Sequence, residues 1–260
     1  MSDPEFAEQM LDWWDFDDPA ESKARFSAAA AAEPDAARRA SLLTQVARAQ
    51  GMLDAFEAGH ATLDSLGDPD GLADEPAVRT LLERGRLHHL AGGIGDAEPL
   101  YRAAHRRAVE AGLTGLAVDA AHMLAIALPD QEHEWVRAGL SLAEGSTDPL
   151  VPGMLGALLT NLGFSHADED RWDEAAEAFR GAVAAYRRRP DPRTVHNARW
   201  TYAWALRALG RPQQALAELH ELTATRLGAD DVRVAEEIAE NERALRAADS
   251  SRPPTVRRVV

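Results

Sequence analysis

Residues 159–190 read LTNLGFSHADEDRWDEAAEAFRGAVAAYRRRP, and the spacing within this stretch decides the fold. A Leu-Gly pair ending at Gly163 lies on an apolar helical face, a polar turn follows, and Ala175 and Phe179 lie four residues apart on a second face. The small residues Gly163 and Ala175 let two antiparallel helices approach closely, and the Phe179 ring fills the space between neighbouring hairpins. The stretch therefore predicts a helical hairpin.

The same pattern recurs along the chain with less fidelity, and glycine or proline separates helices of about a dozen residues. The weakest repeat is the fourth, where Pro129 shortens the connection. The pattern predicts a single domain over residues 1–249, followed by a flexible tail over 250–260. The predicted hairpins cover approximately residues 3–34, 40–73, 78–111, 113–146, 154–189 and 194–228, and a capping helix covers 231–248.

The order of a large residue, Leu-Gly, an aromatic residue, a turn, and then small, aromatic and small residues resembles the tetratricopeptide signature. The stretches 14–19, 117–124 and 197–200 are similar to a group of stand-alone bacterial tetratricopeptide proteins of actinobacterial type. This resemblance implies an all-α fold, a tetratricopeptide-type α-solenoid of about six hairpins plus a C-terminal capping helix. It also implies a scaffold that binds a protein or peptide in its concave groove.

The composition restricts the partners. The formal net charge is −15, so phosphate backbones and anionic lipids are repelled and a basic ligand is attracted. The chain has no cysteine, which excludes disulfides, thiolate metal sites and cysteine nucleophiles. No apolar run approaches the ~18 residues that span a bilayer, and the first residues are acidic. We therefore expect a cytoplasmic protein that binds neither nucleic acid nor membranes.

In a tetratricopeptide fold the first helix of each hairpin lines the groove, so the repeat register predicts the binding residues. Basic groups fall toward the N-terminal half of this set and aromatic rings toward the C-terminal half, which suits an extended peptide with apolar side chains. The predicted groove residues are Arg48, Arg86, His89, His122, Asn161, Phe164, Asn197, Trp200, Trp204 and Arg207, with Thr44 and Asp119 in the same register.

Two other functions remain open at this point. One is an enzyme or small-molecule binder whose pocket would use Arg86, His122, Asn161, Arg199 and Trp200. The other is a regulatory adaptor that senses a peptide, without a helix-turn-helix segment to bind DNA. The sequence predicts no catalytic residue, cofactor or metal, although a histidine and aspartate site across hairpins is geometrically possible.

The last helix has two interpretations. Its glutamates, among them Glu236 and Glu237, make it polar enough to act as a solvated cap on the final hairpin. Alternatively, an exposed stripe of Val234, Ile238 and Leu245 would form a homodimer.

Overall fold

The computed structural model describes residues 4–189 and 191–250, the last three by their backbone alone, and contains no strand in that part of the chain. The predicted all-α fold is confirmed. The helices are α1 (Pro4–Asp12), α2 (Pro19–Ala32), α3 (Ala36–Met52), α4 (Phe56–Asp64), α5 (Asp74–Leu90), α6 (Ile94–Glu110), α7 (Thr114–Ala127), α8 (Glu132–Ala143), α9 (Val151–Asp168), α10 (Trp172–Tyr186), α11 (Pro192–Ala208), α12 (Pro212–Thr223), α13 (Arg226–Ala229) and α14 (Val232–Ser250).

Local sequence signals set the ends of these helices. Asp18, Asp35 and Asp191 cap α2, α3 and α11, each accepting a hydrogen bond from a backbone N–H of the first turn. Gly92 and Gly210 follow the ends of α5 and α11 with positive φ angles of 86° and 75°, a conformation that favours glycine. Polar caps and left-handed glycines therefore divide the chain into short helices.

Consecutive helices pair into six hairpins, from α1–α2 to α11–α12, as the repeat pattern predicts. Close approach occurs at the expected small residues. A Cβ atom added at Gly85 would lie 2.5 Å from the Tyr101 ring, and one added at Gly163 would lie 2.5 Å from the Phe179 ring. In these two hairpins the aromatic ring of the second helix therefore occupies the space that the glycine of the first helix leaves.

The chain forms two compact units that divide after Leu158, within α9. In unit 1, the rings of Phe26 and Tyr101 are fully buried in two apolar clusters. In unit 2, Phe179 and Leu219 are at the centres of two further clusters. The single domain expected over residues 1–249 stays a prediction, and the predicted tail over 250–260 lies almost wholly outside the described residues.

The last helix, α14, covers the final hairpin of unit 2. Val234 is fully buried with Leu219 and Leu222, and Ile238 packs against the same cluster. The prediction that Val234 belongs to an exposed stripe is wrong, because Val234 and Ile238 contact the preceding helices, and Leu245 is partly buried. The homodimer stays a prediction. Glu237, expected among the solvated glutamates, is also buried. The cap interpretation therefore describes α14. Among the described helices, none is both long enough and apolar enough to cross a membrane.

Candidate functional site

The first helices of three successive hairpins in unit 1 are neighbours: α3 packs against α5, and α5 packs against α7. Their residues repeat at the same spacing, with a polar residue three positions before a basic residue and an apolar residue four positions after it. Such residues share one side of a helix. We call this set the α3–α5–α7 face. It consists of Gln45, Arg48 and Met52 on α3, Glu83, Arg86 and Leu90 on α5, and Asp119, His122 and Ile126 on α7.

A buried ion cluster lies at the centre of this face. Arg86 contacts the carboxylates of both Glu83 and Asp119, and all three side chains are buried. Burial disfavours the charge on Arg86, but the two carboxylates outweigh that effect and raise its pKa. Burial also raises the pKa of Glu83, whereas for Asp119 the nearby Arg86 and Arg48 outweigh burial and lower the pKa. The cluster joins α5 to α7 through charges that lie within the protein.

Glu83, one of the two acidic residues of this cluster, lacks a hydrogen bond at one of its carboxylate oxygens. One oxygen of Glu83 binds Arg86, while the other, Oε2, is buried and has no hydrogen-bond partner among the described residues. An unpaired buried carboxylate oxygen is costly, which agrees with the raised pKa of Glu83.

The connection between α1 and α2 contacts the α3 end of the face. The Trp14 indole N–H donates to Gln45 Oε1 at 3.0 Å, and the Trp14 and Phe16 rings stack at 4.9 Å. The guanidinium carbon of Arg48 lies 5.4 Å and 5.5 Å from these two rings. Arg48 therefore makes cation–π contacts, and burial, together with Arg86, lowers its pKa. No ion pair joins Arg48 to another residue in the described parts of the chain.

A cavity of about 170 Å³ opens between α3 and α5. Glu83, Arg48 and Arg86 supply its polar wall, and exposed apolar side chains form its rim. The remaining lining comes from Phe16, Gly51, Met52, Leu87 and Leu90. Small-molecule pockets commonly measure ~300–1,000 Å³, so this cavity has the size of one amino-acid side chain.

A larger cavity of about 560 Å³ lies at the N-terminal ends of α3 and α5. Its charged groups already have partners, because Glu75 binds Arg79 and Asp74 binds Arg107. No unsatisfied buried side-chain atom belongs to its lining among the described residues. The smaller cavity is therefore the better candidate for a specific contact.

His122 lies on α7 beside the ion cluster and is partly buried. Burial lowers its pKa to about 4, and Asp119 opposes that shift only in part. The imidazole is therefore neutral at physiological pH. His89 is partly buried near Tyr101, with ring centroids 6.4 Å apart. The predicted Thr44 is fully buried and donates to the Ser41 carbonyl at 2.6 Å, so it supports α3 from within.

In unit 2, the predicted aromatic residues form a cluster. Phe164, which is exposed, lies edge-on to Phe179 at 5.1 Å, and Trp204 packs against Trp172 at 5.1 Å. Asn161 precedes Phe164 by one turn of α9 and is partly buried. These rings fill space between helices α9, α10 and α11.

Three other predicted groove residues of unit 2 hold α14. The Trp200 indole donates to the Arg233 carbonyl at 3.2 Å, and Asn197 accepts a hydrogen bond from the Arg233 side chain at 3.1 Å. Arg207 forms an ion pair with the buried Glu237. These contacts favour a role for Trp200, Asn197 and Arg207 in attaching the last helix.

The residues of the alternative enzyme site are distributed over both units. Arg86 and His122 belong to unit 1, while Asn161, Arg199 and Trp200 belong to unit 2. Arg199 is buried and paired with Glu218 at 2.8 Å. No group of three or more histidine or acidic residues in the described chain could hold a metal ion, so the histidine and aspartate site has no support.

Sequence reasoning missed several residues of the α3–α5–α7 face. The apolar positions Met52, Leu90 and Ile126 repeat four residues after each basic position, and that spacing alone could have identified them. Glu83 was missed because a glutamate on a helix is ordinarily solvated, and Phe16 because it lies in a connection outside the repeat register.

The comparisons with known proteins support the fold. No protein-family model matches the chain, and no curated protein matches it. The crystal structure of BtubC (BKLC) from P. vanneervenii is similar over 99% of this chain and 97% of that chain, with 14% identity and a TM-score of 0.54. The TPR-like repeats of a Podosopora anserina kinesin light chain match at 16% identity and a TM-score of 0.48, covering 81% of this chain and 100% of that chain. The RpL4 assembly chaperone Acl4 matches at 14% identity and a TM-score of 0.48, covering 96% of this chain and 99% of that chain.

At these identities the likeness concerns the fold alone. It agrees with the helical hairpins of this chain. The tetratricopeptide-type helical fold that the sequence indicated is confirmed.

Proposed function

We propose that this protein is a non-catalytic scaffold that binds a peptide or protein segment on the α3–α5–α7 face. The observation that carries the proposal is the exposed apolar set at equivalent positions of three neighbouring helices. Met52, Leu90 and Ile126 are 38 to 56% exposed, although each follows a buried or partly buried basic residue by one turn. Large apolar side chains aligned in this way provide contacts for the alternate side chains of an extended ligand.

The net charge of the protein also affects which ligands this face can bind. The net charge of −15 attracts ligands with basic residues, and the exposed apolar set favours apolar side chains next to them. The ion cluster around Arg86 keeps α5 and α7 in a fixed arrangement, so the face is formed before the ligand arrives.

The state of the titratable groups supports a role without catalysis. Arg86 binds both Glu83 and Asp119, and His122 is neutral with a pKa of about 4. A general acid or base is most effective with a pKa near the working pH, and His122 lies well below it.

Two matched triple variants test this proposal. The face variant replaces Met52, Leu90 and Ile126 with serine. The control variant replaces Ile94, Val109 and Leu140 with serine; these residues are 41 to 46% exposed and lie on the second helices α6 and α8. Each protein is used to capture partners from a cytoplasmic extract, since we expect the protein to act in the cytoplasm, and the partners are quantified by mass spectrometry.

We expect a partner that the wild-type and control proteins retain and the face variant loses, with similar helicity for all three proteins by circular dichroism. Equal retention by the face and control variants would refute the assignment of the binding face. Turnover of a captured small molecule by the wild-type protein would refute the non-catalytic assignment.

A further inference from the structure

Two histidines meet between helices α4 and α5 of unit 1. His60 on α4 and His88 on α5 have ring centroids 4.8 Å apart, and their ring planes are tilted by 56°. Both residues are partly buried, and α4 packs against α5. Two different helices therefore bring these imidazoles together, 28 positions apart in the sequence.

The ring nitrogens of this pair are open to a ligand. No hydrogen bond or ion pair joins either imidazole to another residue in the part of the chain that the structure describes. None of these nitrogens is a buried atom without a partner, so solvent reaches each of them. His89 and His105 differ, because each has an unpaired nitrogen that the protein encloses.

The charges near the pair are compatible with a bound cation. Burial, His88 and Arg84 lower the pKa of His60, so its imidazole is neutral at pH 7 and able to bind a metal ion. The nearby positive charge of Arg84 is balanced by Asp64, with which it pairs at 2.8 Å. The net charge of −15 attracts cations to the protein as a whole.

The separation of the two rings fits a shared metal ion. Imidazole nitrogens bind transition metals at ~2.0–2.1 Å, so two imidazoles at adjacent coordination positions hold their centroids roughly 4.5–5 Å apart. The observed 4.8 Å lies in this range. No group of three or more histidine or acidic residues completes a site among the described residues, so water supplies the other ligands. Nitrogen and oxygen ligands in a tetragonal arrangement are typical of copper(II) and nickel(II), and copper(II) binds most tightly in the divalent series.

We infer that His60 and His88 bind a divalent late transition-metal ion, copper(II) most tightly, through one nitrogen of each ring. The ion joins α4 to α5. Of the nine residues of α4 only Gly59 and Leu63 are buried, so a metal bridge adds a fixed contact to a helix with little core of its own. His88 lies two residues after Arg86, on a different side of α5, so this site is separate from the α3–α5–α7 face.

Metal titration of the full-length protein, prepared without a histidine tag and stripped of metal with EDTA, tests the inference. Calorimetry measures the binding of copper(II), nickel(II) and zinc, and pulsed electron paramagnetic resonance counts the imidazoles on bound copper(II). The variants are His60→Gln, His88→Gln and the control His220→Gln, which changes an exposed histidine of α12. A fourth variant, Arg84→Met, removes the positive charge near His60.

We expect one copper(II) ion per protein with two imidazole ligands, and weaker binding of nickel(II) and zinc. His60→Gln and His88→Gln should each weaken copper(II) binding by about tenfold or more, because one of the two protein ligands is lost. Arg84→Met should strengthen binding, because a neighbouring positive charge is gone and Asp64 is released from its ion pair. This variant keeps the inference testable if a histidine variant does not fold. His220→Gln should leave the Kd unchanged, and bound copper(II) should raise the Tm of the wild-type protein.

Several results would overturn the inference. Copper(II) binding that survives both single replacements, or that falls equally in His220→Gln, would show an adventitious surface contact. A single imidazole on the bound ion would exclude the shared site, and weaker binding by Arg84→Met would place the ion elsewhere. None of these results concerns the capture of partners by the α3–α5–α7 face, so the scaffold proposal is tested separately.

Discussion

Replacing Arg86 with methionine tests whether the α3–α5–α7 face is held by buried charge. The guanidinium contacts Glu83 and Asp119, and all three side chains are buried. Methionine keeps much of the volume but leaves two carboxylates without their cation. Removing one partner of a buried ion pair costs ~3–5 kcal/mol, and we expect a loss of that size in the free energy of unfolding at pH 7.

The pH dependence of this loss follows from the carboxyl groups. In the wild-type protein the pKa of Asp119 is lowered, so its contribution to stability is present above the ordinary carboxyl range and is lost as the pH falls through the folded value. Without Arg86, less positive charge opposes burial and the pKa of Asp119 rises, so the variant regains stability relative to the wild type by binding a proton as the pH falls. The stabilities of the two proteins should converge between pH 7 and about pH 4.

Urea unfolding followed by circular dichroism measures the effect, with Arg84→Met as the control. Arg84 lies two residues earlier on α5 and pairs with Asp64 at 2.8 Å, but the Asp64 side chain is exposed. Exposed pairs contribute ~0–1 kcal/mol, so this variant should stay close to the wild type at every pH. Equal losses for the two variants, or a loss for Arg86→Met that does not change with pH, would refute the reasoning.

Two further predictions concern His122 and the helix contacts. Burial lowers the pKa of His122 from 6.5 to about 4, so the contribution of this residue to stability is complete above pH 6.5 and is lost toward pH 4, by ~3 kcal/mol at most. In His122→Gln the free energy of unfolding should therefore fall less over this interval. Identical pH profiles of the variant and the wild type would contradict the assignment. Gly85→Ala should lower stability by ~1–3 kcal/mol because its Cβ would lie 2.5 Å from the Tyr101 ring. Gly95→Ala, in α6 with no neighbouring atom within 4 Å, should raise stability by ~0.5–1 kcal/mol. In thermal unfolding, the Tm of Gly85→Ala should fall and that of Gly95→Ala should rise. Equal changes in Tm would rule out the close-approach argument.

The sequence by itself determined the repeat architecture. Helix-forming composition, aspartate caps and glycine stops are local properties, so they can be read without knowing the neighbours. The small residues Gly163 and Ala175 also indicated where paired helices come close, because residue spacing shows which side chains share one face of a helix.

Only the tertiary structure decided which polar residues are available to a ligand. The register placed Arg86 and Trp200 alike on first helices, yet Arg86 lies in a buried ion cluster and Trp200 contacts the backbone of α14. Periodicity shows which residues share a side of one helix, but burial depends on what another helix or connection brings against that side. Contacts between residues more than 30 positions apart, such as Arg86 with Asp119 and Trp14 with Gln45, therefore could not be read from the sequence.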